Sequence, residues 1–217
     1  YSVMENRPAG KSQPFTVNMK GKSTSTPKMQ ETIPQKFAGN IVNPFVVPGI
    51  KKINIDSNLK ADFSFDNYIE GDCNRLARSA GIAIAKKPGG TSFNPLIVFG
   101  DVGLGKTHLV QAIGNEIAAQ HPNKSVLYVP AEKFTNQLIQ AIKNNSINEF
   151  SNYYQMLDVL IMDDIQFISG KQKTQEIFFH IFNQLHQGGK QIILTSDRAP
   201  KDLVGMEDRL ISRFKWG

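Results

Sequence analysis

The 217-residue chain is long enough for one sizeable domain plus additional sequence, and its 40% hydrophobic and 9% aromatic content is that of a globular protein. No apolar run approaches the ~20 residues of a membrane span, the opening YSVMENRPAG lacks the charged-then-apolar order of a secretory signal, and the single cysteine, Cys73, excludes an internal disulfide and fits a reducing cytoplasm. The net charge of +6 does not assign a nucleic-acid partner to the second part of the chain, because residues 1–60 hold nine Lys/Arg against three Asp/Glu while residues 61–217 hold sixteen of each.

Residues 1–60 are expected to form a flexible basic linker. The stretch from Lys20 to Lys28 is low in complexity and reads as disordered. A short apolar patch over residues 41–48 carries two prolines, which argue against a central strand. It reads either as a loosely packed segment or as a docking peptide. The chain starts at Tyr1 rather than Met and so reads as part of something longer.

From Phe63 the pattern changes. Phe63, Phe65 and Tyr68 precede a predicted helix over 71–85, which Lys87-Pro88-Gly89-Gly90 breaks. Strands and helices then alternate. Strands are predicted at 95–99, 125–129, 158–162 and 191–195, and helices at 106–119, 132–143, 174–186 and 207–214. Ser146-Ile147-Asn148-Glu149 has the spacing of a capping box opening a further helix. In the 174–186 helix, Ile177, Phe178, Ile181, Phe182 and Leu185 share one face. Alternation with apolar strands implies an α/β domain built on a parallel sheet.

Gly100-Asp101-Val102-Gly103-Leu104-Gly105-Lys106-Thr107 matches G-x-x-x-x-G-K-[ST] between a predicted strand and a predicted helix. Glycines let several backbone N–H groups converge on one anion, and the helix N-terminus adds a favourable dipole. Lys106 is placed to reach the β/γ-phosphates of a nucleoside triphosphate, and the Thr107 hydroxyl to ligate Mg²⁺.

The apolar run ending at Met162 is followed by Asp163 and Asp164. Adjacent carboxylates at the edge of a core are costly unless something engages them. Asp163 is expected to complete the Mg²⁺ site. Asp164 is either the group that activates water or a solvated loop carboxylate. The strand over 191–195 runs toward Asp197, a candidate sensor of the γ-phosphate. Arg209 and Arg213 lie four residues apart on one helix face, either as arginines offered to a neighbouring subunit or as partners of Glu207 and Asp208.

The runs NPLIVFGDVGLGKTHLVQAIGNEI, VLYVPAEKFTNQLIQAIKNN, DVLIMDDIQFISGKQKTQEIFFHIFNQLH, QIILTSDRAPKDL and EDRLISRFKWG resemble, in this order, the DnaA family of bacterial chromosomal replication initiators. The resemblance covers about residues 61–217. It implies a P-loop NTPase of the AAA+ type, a parallel sheet flanked by helices. Gly103, Gly105, Lys106 and Thr107 match the nucleotide loop, Asp163 and Asp164 the Walker B pair, and Asp197 the first sensor. Arg209 and Arg213 match the arginines that touch a neighbour's ATP, with Arg213 in the finger position. Tyr68, Ile69 and Asn74 fall in the segment that contributes to the adenine pocket.

Ile139, Lys171 and Lys173 fall where the family contacts single-stranded origin DNA. Many members have arginine where this chain has Lys173, and a lysine loses the planar fork. The plain alternative for these three is a solvated helix face and a basic loop.

By the same resemblance the chain is C-terminally truncated, without the last core strand, the helical lid and the helix-turn-helix domain that reads duplex origin DNA. A missing strand would leave a sheet edge unpaired. The N-terminal domain that oligomerises and contacts the replicative helicase would also lie outside it. The implied activity is ATP- and Mg²⁺-dependent assembly into a filament that opens origin DNA, switched off by weak ATPase activity, with acidic phospholipids admitted as a further partner. A related regulator or an AAA+ helicase loader is the alternative, and the long basic linker favours the initiator. A P-loop kinase would need an acceptor pocket and leaves the paired arginines unexplained.

Overall fold

The computed structural model describes residues 55–216; the basic low-complexity stretch and the 41–48 patch lie outside the described residues. Four strands form one sheet: β1 (Leu96–Phe99), β2 (Val126–Pro130), β3 (Val159–Asp163) and β4 (Gln191–Ser196). All pairs are parallel and the spatial order is β1-β4-β3-β2. The helices are α1 (Arg75–Lys86), α2 (Lys106–Gln120), α3 (Ala131–Lys143), α4 (Ile147–Gln155), α5 (Gln172–Gln187) and α6 (Asp208–Phe214). Short 3₁₀ turns occupy Ile165–Ile168 and Pro200–Asp202.

The two central strands show why the sheet is sandwiched. Side chains alternate between faces along a strand, and every residue of β3 and β4 is buried. Val159, Ile161 and Ile193 face one layer with Ile84, Leu109, Ile113 and Ile117 from α1 and α2. Leu160, Met162, Ile192 and Leu194 face the other, with Phe134, Phe178, Ile181 and Phe182 from α3 and α5. The five residues expected on one face of the 174–186 helix are all buried there.

Two local expectations need correction. The first helix begins at Arg75, not Gly71, because the Asn74 side chain ties the preceding turn. It accepts from the Gly71 N–H (2.9 Å) and donates to the Ile69 carbonyl (3.0 Å). Ser146 does precede α4, but its hydroxyl makes no cap; it turns back to the Ala141 carbonyl at 3.4 Å. The spacing marks the helix start without the bond it usually signals.

The chain entering the domain is strapped to α2 and β2. Ser57 accepts from the Tyr128 N–H (2.8 Å), and the Lys60 N–H donates to Gln111 Oε1 (2.8 Å). Asn115 Nδ2 donates to the carbonyls of Lys60 and Phe63, both at 2.8 Å. Among the described residues no helix is long and apolar enough to cross a membrane.

At the rim where the strands begin, Asp158 accepts from the Ser125 N–H (2.9 Å) and hydroxyl (3.0 Å) and pairs with Lys190 (2.7 Å). Burial works against its ionisation, but the Lys190 pair and the Ser125 donors outweigh it and hold the carboxyl below its ordinary 3.8. A lowered folded pKa adds stability above the unfolded value and loses it as pH falls through the folded one. The Lys190→Met variant is therefore expected to unfold at a higher pH than the wild type in an acid titration followed by circular dichroism. Coincident acid transitions would remove this pair from the stability account.

Candidate nucleotide site and its flanking arginines

The strands run the same way, so their C-terminal ends, with the loops that follow, share one rim. There the loop after β1 curls into α2. Gly103 and Gly105 have φ of 84° and 78°, and a Cβ on Gly105 would meet Tyr68 Cε2 at 3.3 Å. Both the left-handed backbone and the tyrosine select glycine at 105. The loop is tied to the sheet by the Gly100 N–H to the Ser196 carbonyl, 3.3 Å. Lys106 folds back over it, donating to the carbonyls of Gly100 (2.8 Å) and Asp101 (2.9 Å).

Asp163 ends β3 buried, at 4% exposure, and is surrounded by hydroxyls. Thr107 Oγ1 (2.8 Å) and Tyr128 OH (2.7 Å) donate to Oδ2, and Thr195 donates to Oδ1. This is how the fold tolerates a carboxylate there: acceptors left unpaired would cost far more. Burial first, then the Asp163 carboxylate, push the Tyr128 phenol well up, so it stays a donor.

The adjacent carboxylates diverge because Asp164 takes a left-handed backbone, φ 58° and ψ 56°. Its N–H donates to Thr195 Oγ1 (2.8 Å) and its Oδ1 accepts from Gln166 Nε2 (3.2 Å). The other end of the Gln166 amide accepts from the Asp197 N–H at 3.3 Å. One glutamine in the 3₁₀ turn thus links the Asp164 carboxylate to the backbone of Asp197. The Asp197 side chain itself pairs with Arg198 at 2.7 Å, which holds its pKa down, and the charge of Lys106 acts in the same direction.

Sequence reasoning misses Tyr128, Thr195 and Gln166. Tyr128 carries a hydroxyl within the apolar strand β2, and Thr195 follows the apolar run Ile192–Leu194 of β4; a buried hydroxyl beside such runs is the available signal.

The entry segment reaches the loop through His108. Its ring stands edge-on to Phe63 (5.0 Å) and Tyr68 (5.3 Å), with Nε2 3.0 Å from both the Ser64 carbonyl and Asn67 Oδ1. Tyr68 is buried beside Gly105, whereas Ile69 is 87% exposed and Asn74 is occupied with its own turn.

Of the two arginines on α6, Arg209 pairs with Glu207, the local partner the spacing allowed, while Arg213 has no carboxylate among the described residues. On the other flank Ile139 is 42% exposed on α3, beside a depression lined by Glu132, Lys133, Asn136 and Gln140. Lys171 is exposed without an ion pair among the described residues, and Lys173 pairs with Glu176 at 3.0 Å.

The family model described as the bacterial DnaA ATPase domain matches residues 59–217. The chain belongs to the DnaA family. It is 55% identical over 219 residues to the chromosomal replication initiator protein DnaA of Flavobacterium psychrophilum, covering all of this chain and 46% of that protein. It therefore spans under half the length of that DnaA relative. Domain III of the Thermotoga maritima DnaA superimposes with a TM-score of 0.71 at 45% identity, covering 73% of this chain and 66% of that one. A replication initiator DnaA bound to AMPPCP and single-stranded DNA superimposes at 0.70 with 45% identity, covering 73% of this chain and 49% of that one. These matches bear out the DnaA resemblance and the α/β AAA+ fold expected from it.

Proposed function

We propose that this chain contains the ATP-binding core of a replication initiator that uses ATP as an assembly switch. The observation that carries this is the Thr107 hydroxyl lying 2.8 Å from the buried Asp163 carboxylate, beneath a glycine loop that opens a helix at Lys106. The DnaA neighbour that holds AMPPCP and single-stranded DNA supports both ligands here. On this reading residues 1–60 are a basic linker, residues 61–217 are the core, and the protein works in the cytoplasm.

Lys106 would exchange its two loop carbonyls for β- and γ-phosphate oxygens, and Tyr68, with Ile69 and Asn74 at its margin, would bound the adenine. Among the described residues there is no cluster of three His, Cys, Asp or Glu that would trap a transition metal. One hydroxyl and one carboxylate suit Mg²⁺, which takes few protein ligands and completes its shell with water and phosphate. When bound there, Mg²⁺ would neutralise charge on the phosphates. Asp164 would orient the attacking water, and Asp197 would register the γ-phosphate. Arg213, aided by Arg209, would reach the nucleotide of a neighbouring copy.

Lys106→Ala is expected to weaken ATP binding by roughly 10- to 100-fold, because it removes a charge-assisted hydrogen bond worth about 1.5–3 kcal/mol. Calorimetric titration with ATP measures it. Equal affinities would mean that the phosphates sit elsewhere.

Single-stranded DNA would run past Ile139, Lys171 and Lys173. In the whole initiator, duplex origin DNA, the replicative helicase and acidic phospholipids would be met by other parts of the protein. The test is fluorescence anisotropy of labelled single-stranded DNA with ATP against ADP at fixed salt. Binding that requires ATP supports the switch; equal binding in both would shift the reading to a loader or regulator. Lys171→Ala is expected to weaken binding more than Lys173→Ala, because Lys173 already shares its charge with Glu176. Removing one lysine from a DNA phosphate should flatten the salt dependence by roughly 0.7 in log–log slope.

A further inference from the structure

Arg209 and Arg213 leave the same helix but are held in different ways. Arg209 is exposed, paired with Glu207, and lies over Phe179 at 4.7 Å. Arg213 is half-buried. Its Nε donates to Asn183 Oδ1 on α5 at 3.0 Å, and its guanidinium carbon lies 3.8 Å from the Trp216 ring centroid. Phe179 is 5.9 Å away on α5. Trp216 is braced in turn by the His186 ring at 5.0 Å, and His186 stacks on Phe182 with the rings 7° from parallel.

A free arginine loses roughly 2 kcal/mol of rotamer entropy when it must take up one geometry. A carboxylate would fix it in advance but would cancel its charge. A neutral amide oxygen and an aromatic face fix it and leave the charge whole. The guanidinium has five N–H donors, and only the Nε–H is used among the described residues, so the four Nη protons remain for an anion.

We propose that Asn183 and Trp216 are positioning residues for Arg213, holding its guanidinium charged and oriented before any phosphate arrives. The purpose assigned to that arrangement, meeting the nucleotide of a neighbouring copy, rests on the function proposed above. The hold itself does not.

Trp216 is the only tryptophan in the chain, so its emission reports the guanidinium stacked on it. The experiment compares the fluorescence spectrum and lifetime of the whole 217-residue chain with those of Arg213→Ala, Asn183→Ala and Asn183→Asp. Asn183 sits inside α5 at a partly exposed position, where alanine is a good helix former, so folding is not at stake. Arg213→Ala and Asn183→Ala should change the emission in the same direction, and Asn183→Asp, which keeps an acceptor, should return it toward wild type. Asn183→Ala emission identical to wild type, with Arg213→Ala shifted, would overturn the role of Asn183. Wild-type emission in Arg213→Ala would overturn the stack itself.

ATP-dependent sedimentation separates this from the wider reading. Arg213→Ala that assembles like wild type while its fluorescence shifts would leave the hold standing and remove the neighbouring nucleotide as its purpose. Asn183→Ala that binds nucleotide normally yet assembles less well, and Asn183→Asp that restores the emission but not the assembly because its carboxylate cancels the charge, would support both.

Discussion

Asp164→Asn is expected to leave ATP affinity within about twofold of wild type and to lower hydrolysis by about 100-fold, the low end of what a positioned general base contributes. The structure makes this substitution unusually clean. Asparagine tolerates the left-handed backbone that Asp164 adopts. Its Oδ1 can still accept from Gln166 Nε2, and the backbone N–H to Thr195 is untouched. What is removed is the negative charge. Single-turnover hydrolysis measured beside equilibrium ATP binding checks it, and unchanged turnover would take Asp164 out of the mechanism. Asp164→Ala would be a poorer test, because it also frees Gln166 and with it one tether on the Asp197 backbone.

Phe178→Ala is expected to cost about 3–5 kcal/mol of stability, a large share of what a domain of this size holds. Phe178 is fully buried and stands edge-on to Phe134 at 5.8 Å and Phe182 at 6.2 Å. Three elements meet around it: α3 through Phe134, and the α5 and sheet residues of the same core. Their backbones are fixed by separate hydrogen-bond ladders, so the hole cannot close by a local shift. Urea unfolding measures it. A loss below about 1.5 kcal/mol would mean that the aromatic cluster repacks.

The sequence carries most of the architecture because the elements differ in period. Leu160, Ile161 and Met162 read as a doubly covered strand, and Ile177, Phe178, Ile181, Phe182 and Leu185 as a helix face. The glycines and the Lys-Thr pair mark the loop. The hydroxyls around Asp163 are not legible, since Tyr128 and Thr195 come from two other strands and meet it only once the register β2-β3-β4 is set. Gln166 hides for a different reason: its role depends on a left-handed turn at Asp164, a residue type for which sequence gives little warning. Charge partners are the least legible. Spacing permits both a paired and an unpaired reading of Arg209, Arg213 and Lys173, and only the rotamers distinguish Arg213 from the other two.

The parallel sheet has one more consequence. Every strand starts at the rim tied by Ser125, Asp158 and Lys190 and finishes at the rim that carries Lys106, Asp163 and Asp164. Fastening and chemistry therefore occupy opposite ends of the same strands. Substitutions at the fastening end weaken the fold while leaving the phosphate-facing groups in place. Such chains would work in the cold and fail on warming, so the fastening end is where conditional alleles of this protein should be sought.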